Sequence, residues 1–229
     1  MIIDTQFNVF SDTPLGKDPD KYSPTLRRYH QYLWSKPLPD GNPFTLEIDG
    51  SGSYLYHGST LGEFHLSSDA ISNTHRHVAR MTPITSLVPT EVMADFYNLG
   101  STIGAYIVFP RKMINGKQNI NQARGCHPKI RDRIDLTLEC IRRFYVGQVS
   151  PLSTVLERYG DFFTLFQSFD GYVDFFLLND LVKDSAVKFL LPFDEFQRDG
   201  YPVDVAEYQY LMCSTMDFLN ERNQRIAGL

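Results

Sequence analysis

The feature that most constrains the fold of this chain is a shift in hydrophobic periodicity, from strand-like alternation in the stretch that ends at Pro110 to mostly helical spacing after it. Before that point, apolar and polar residues alternate in short runs broken by Gly and Ser: FTLEID, SYLYHG and EFHLSSD, between Phe44 and Asp69. This is the pattern of half-buried β-strands joined by turns, with Gly50 to Ser53 as a hairpin turn. The stretch TIGAYIVFP, residues 102–110, is rich in β-branched and aromatic residues and reads as a buried strand closed by Pro110. After it the spacing becomes helical. Residues 128–145 place Ile130, Ile134, Leu138, Ile141 and Tyr145 on one face. Residues 151–167 and 172–182 form an apolar helical pair, and residues 205–225 align Val205, Tyr208, Met212, Met216 and Leu219. The expected class is α+β, a small, mainly antiparallel sheet from the N-terminal half packed by helices mostly from the C-terminal half.

Six of the thirteen prolines fall in the first 43 residues. They make a region of turns around one short helix, signalled by Ser23 as N-cap, Pro24 at the first helical position, and Leu26, Tyr29 and Leu33 on one face. A second short helix is expected at 91–99, capped by Thr90 and stopped by Gly100. With 229 residues and 42% hydrophobic composition, the chain reads as a single domain, 1–229. Its parts are a Pro-rich region at 11–43, a strand-rich part at 44–110 and a helical part at 128–227.

Charge is distributed unevenly. Residues 111–143 hold nine Lys/Arg against three Asp/Glu, a charge of +6, while the rest of the chain carries −11. Such a belt in an acidic protein suits an anionic partner. Along the expected helix, Arg131 stands four from Asp135, and Glu139 stands three and four before Arg142 and Arg143, so that half of the belt neutralises itself. The 111–127 half is expected as a loop ahead of a helix start, where backbone amides and guanidinium groups together suit a phosphate or carboxylate. A phosphorylated or polyanionic ligand, a nucleotide among them, would meet Arg111, Asn121, Arg124 and His127 there, with Arg131 or Arg133 in support. Alternatively, the belt meets an acidic face of a protein partner or of a second copy in a homo-oligomer.

An enzymatic reading needs carboxylates at the same mouth, and Asp69 and Asp135 are the candidates for acid/base work in a transferase or hydrolase. Four histidines fall at 57, 65, 75 and 77, yet no complete metal signature accompanies them, and neither a metal nor a cofactor is expected. P-loop, dinucleotide-type glycine fingerprint and G-x-S-x-G elbow are all missing. A pI of about 5.6 and the lack of a helix-turn-helix pattern argue against sequence-specific DNA binding. The run YHGST, residues 56–60, resembles the His-Gly-Ser/Thr strand of ADP-ribosyltransferases. That resemblance implies an NAD pocket at His57 and Gly58.

MIIDTQFNVF has no signal-peptide character, and no segment approaches the length of a membrane span. Cys126, Cys140 and Cys213 are widely spaced free thiols that suit a reducing compartment, so a cytoplasmic protein without membrane association is expected. The runs GKQNINQARG, DRIDLTLECIRRFY, SPLSTVLERYGDFFTLF and GYVDFFLLNDLV, with KYSPTLRRYHQYLWSKPLP and LGEFHLSSD, resemble a family of bacterial proteins of unknown function. The resemblance spans most of the chain and implies no reaction.

Overall fold

The computed structural model of the protein describes residues 2–48 and 55–229. The turn expected at Gly50 to Ser53, with the strand ends beside it, lies outside the described residues. In chain order the elements are α1 (Pro19–Tyr22), α2 (Pro24–Trp34), β1 (Lys36–Pro37), β2 (Pro43–Phe44), β3 (Glu47–Ile48), β4 (Leu55–Ser59), β5 (Gly62–Ala70), α3 (Thr82–Thr85), α4 (Thr90–Leu99), β6 (Tyr106–Pro110), α5 (Ile120–Cys126), α6 (Ile134–Tyr145), α7 (Ser153–Arg158), α8 (Gly160–Thr164), α9 (Phe169–Phe175), β7 (Val182–Lys183), β8 (Ala186–Val187) and α10 (Val205–Ala227). The architecture is α+β, with small antiparallel sheets and most helices after Pro110.

The main sheet runs β3-β4-β5-β6, each pair antiparallel. Strand β5 is its axis. Its first half pairs with β4, placing His57 opposite Phe64, and its second half pairs with β6, placing Asp69 opposite Ile107. Every residue of β6 is buried, which explains its unbroken apolar sequence. Helix α2 starts as its sequence predicts: the Ser23 hydroxyl accepts from the Leu26 amide at 3.1 Å, and Leu26, Tyr29, Leu33 and Trp34 face inward. Trp34 packs edge-on against Phe176 with ring centres 5.2 Å apart.

Helix α10 packs against the 103–105 turn that leads into β6 and carries Arg222, which has no exposure to solvent. Its guanidinium donates to the carbonyls of Gly104 at 2.6 Å, Tyr106 at 2.9 Å, Phe176 at 3.0 Å and Leu177 at 3.2 Å. One side chain thus closes the open carbonyls of two chain segments, as burial of backbone polar groups requires. A smaller cluster, Met81, Val88, Met93 and Phe96 against Tyr208 and Met212, fastens α3 and α4 to the same helix.

Several elements differ from the sequence expectation. The helix expected over 128–145 begins at Ile134, because Arg131 and Asp132 adopt left-handed backbone, φ 50° and 61°, and cannot continue a helix. The expected Arg131–Asp135 pair is accordingly replaced: Arg131 reaches Asp199 at 3.3 Å, and Asp135 pairs with Arg133. Glu139 does hold both Arg142 and Arg143, each at 2.7 Å. Residues 151–167 divide into α7 and α8 at Tyr159, and the next helix starts earlier than expected, at Phe169, where the Ser168 hydroxyl accepts from the Gly171 amide at 3.0 Å. In the 102–110 run only Tyr106–Pro110 is strand; Ile103–Ala105 is a 3-10 turn. No helix among the described residues is long and apolar enough to cross a membrane.

Candidate functional site

The basic segment after β6 contains a helix. Asn119 caps α5, its side chain accepting from the Gln122 amide at 2.9 Å while the Gln122 side chain accepts from the Asn119 amide at 3.1 Å. This capping box was present in the sequence as N-x-x-Q. It turns α5 so that Arg124 points into the protein. Arg124 has no exposure; Nε donates to Thr137 Oγ1 at 3.0 Å, Nη2 to the Asp132 carbonyl at 3.1 Å, and Nη1 pairs with Asp69. All three of its nitrogens are engaged inside the fold, so the expected role of Arg124 as an anion ligand gives way to a structural one.

The two candidate carboxylates share that fate. Asp69 holds Arg124, while Asp135, with no exposure, accepts from Arg133 Nε at 3.1 Å and from the Leu190 amide at 2.9 Å. Thr137 joins the two pairs, since its hydroxyl also donates to the Arg133 carbonyl at 2.9 Å. The network staples β5, α5, α6 and the 190 segment together; it does not present an acid and a base at an open mouth. Burial raises the Asp69 carboxyl to about 6 even though the Arg124 guanidinium pulls the other way.

Asn121 Nδ2 donates to Ser67 Oγ at 3.2 Å, and His127 Nδ1 accepts from the Lys129 amide at 3.2 Å. The backbone of Arg111 is fixed by the His65 carbonyl at 2.8 Å, while its side chain is exposed. His57 lies on the inward face of β4, only 1% exposed, with its ring stacked on Phe44 at 3.9 Å and Nδ1 beside the Thr45 backbone. An NAD contact through His57 has no open path there; Gly58 alone of that pair lines a hollow.

Beside this seam runs a buried polar chain that sequence reading missed. Trp34 Nε1 donates to His30 Nδ1 at 3.0 Å, so the His30 proton is assigned to Nε2, which meets Ser68 Oγ at 2.9 Å. Ser68 and Asp20 line one small void beside it. Burial, then the charges of Asp18 and Asp69, raises Asp20 to about 8. Its Oδ1 is buried with no partner among the described residues. Ser68 and His30 are 38 residues apart in sequence, and no local pattern could join them.

Open space lies at the other end of β5, on the two sides of the β4–β5 hairpin tip. One hollow, about 500 Å³, runs from Asn42 to Gln167 and has Asp40 as its sole ionisable lining residue. The other, about 410 Å³, is where residues 112–115 meet residues 61–65 and the α7–α8 junction. Its walls combine the apolar Leu61, Phe64, Met113 and Ile114 with Lys112 and Arg158. Arg158 is partly buried and donates from Nη1 to the Thr154 carbonyl at 3.0 Å and from Nη2 to the Gln118 carbonyl at 2.6 Å, and its Nε is buried with no partner. Neither cation forms an ion pair among the described residues, whereas Arg80, Arg124, Arg131, Arg133, Arg142, Arg143, Arg198 and Arg225 all do.

A family model matches residues 3–226, nearly the whole chain. The chain belongs to a family of unknown function, DUF6994. No curated protein and no solved structure matches it. The family assignment agrees with the resemblance seen in the sequence and carries no reaction with it, so the 410 Å³ cleft has to be read from its own chemistry. Its size falls in the range of small-molecule sites. Two cations beside an apolar wall can hold an anionic head and cover an organic body. Among the described residues, no group of three or more His, Cys, Asp or Glu is placed to hold a metal ion.

Proposed function

We propose that the protein binds a small phosphorylated ligand in the 410 Å³ cleft, with Arg158 and Lys112 as the cations that meet the phosphate. The observation that carries this reading is the state of Arg158: a guanidinium at the cleft wall, anchored to the Thr154 and Gln118 carbonyls and paired with no carboxylate among the described residues. The basic segment keeps the role expected of it, but through Lys112 instead of Arg124. A bacterial cytoplasm suits the three unpaired thiols, Cys126, Cys140 and Cys213.

The test is isothermal titration with ethyl phosphate at low salt. Wild type should bind, with affinity falling as salt is raised. Lys112→Gln and Arg158→Gln should each weaken binding roughly 10- to 100-fold, the loss of one charge-assisted hydrogen bond. The Lys112 side chain forms no hydrogen bond or ion pair among the described residues, so its variant separates lost charge from lost structure. Unchanged affinity in both variants contradicts the proposal.

A further inference from the structure

The 410 Å³ cleft also holds two acids. Glu63 on β5 and Asp161 at the start of α8 line the same space as Lys112 and Arg158, and none of the four forms an ion pair among the described residues. Asp161 and Glu63 are both exposed. Two positive and two negative side chains therefore share one cavity without neutralising one another. A simple polyanion would be repelled by the carboxylates as it approached the guanidinium. A ligand of both signs would satisfy both pairs.

We propose that the ligand is a phosphorylated amine: a small molecule whose phosphate meets Arg158 and Lys112 and whose primary ammonium meets Glu63 and Asp161, its carbon skeleton lying along Leu61 and Phe64. This rests on the anion reading above and names the class of ligand. The charge balance favours phosphate over carboxylate at the cationic end. A phosphate monoester carries close to two negative charges near pH 7 and matches two cations, whereas a carboxylate would leave one uncompensated.

The experiment compares O-phosphoethanolamine with ethyl phosphate, which has the same phosphate and a similar body but no ammonium. Wild type should bind O-phosphoethanolamine roughly tenfold tighter or more, as expected of a charge-assisted contact. In the Glu63→Gln/Asp161→Asn double variant that preference should vanish, with ethyl phosphate bound at least as well as by wild type; both positions are exposed, and a far-UV spectrum checks the fold. Equal affinity of wild type for the two ligands, or a preference that survives in the double variant, overturns the amine inference and leaves the anion reading standing. Failure of both ligands to bind overturns both.

Discussion

The hydroxyl of Tyr159 donates to the backbone carbonyl of Lys112 across 2.8 Å, joining the α7–α8 junction to the start of the basic segment. Arg158, the residue before it, reaches the Gln118 carbonyl of the same segment. The two cations of the cleft are therefore held by one pair of neighbouring contacts, not by separate loops. Tyr159→Phe removes the first contact without changing charge. It should cost about 1 kcal/mol of stability, the usual worth of a neutral hydrogen bond, and weaken ethyl phosphate binding several-fold; thermal melts and titration of the same preparation measure both.

Asp20 gives a pH dependence whose sign can be fixed. Its folded-state pKa of about 8 lies above the ordinary aspartate value of 3.8, so the folded protein holds this proton more tightly than the unfolded chain. The contribution to stability is fully present below pH 4 and is lost as pH rises through 8. Asp20→Asn, which cannot ionise, should melt close to wild type at pH 4 and higher than wild type at pH 9. Melting curves at the two pH values decide it, and a variant less stable than wild type at pH 9 would count against the buried, raised carboxyl.

Arg222 serves the fold alone. Replacing it with Met leaves four buried carbonyls without their donor, and a loss of roughly 3 kcal/mol or more is expected from unsatisfied groups of this kind. Chemical denaturation measures it, with the midpoint falling and the slope unchanged.

Glu139 holds Arg142 and Arg143 from a nearly buried position, and its hydrogen bonds from the two guanidinium groups keep its carboxyl below the usual range despite burial. A depressed acid stabilises the fold above its unfolded pKa and loses that contribution as pH falls through its folded value. Glu139→Gln should therefore destabilise at pH 7 by about 1–2 kcal/mol, reduced from the buried-pair figure because both arginines keep contact with water. The deficit should shrink under strongly acidic conditions, which denaturation at pH 7 and pH 3 would show.

What the sequence revealed depended on how local each signal was. Ser23-Pro24 and the spacing of Leu26, Tyr29 and Leu33 located α2 correctly, because a cap and a face lie within a few residues of one another. The Glu139 pairs were legible for the same reason. Helix α6 was placed too early, since nothing in KIRDRI announces that Arg131 and Asp132 will take left-handed backbone. Arg124 looked available because its partners, Asp69 and Thr137, lie 55 and 13 residues away. The same limit hid the cleft: Arg158 follows Lys112 by 46 positions, and the docking of the 112–118 segment on the α7–α8 junction brings them to one wall.

The most direct measurement is the Nε–H resonance of Arg158 in a ¹⁵N-labelled protein titrated with ethyl phosphate. A downfield shift of the Arg158 Nε–H on saturation, with the Arg124 Nε–H unmoved because it already donates to Thr137, is the predicted result. A saturating shift at Arg124, or none at Arg158 while the ligand binds, would contradict the placement of the phosphate in this cleft.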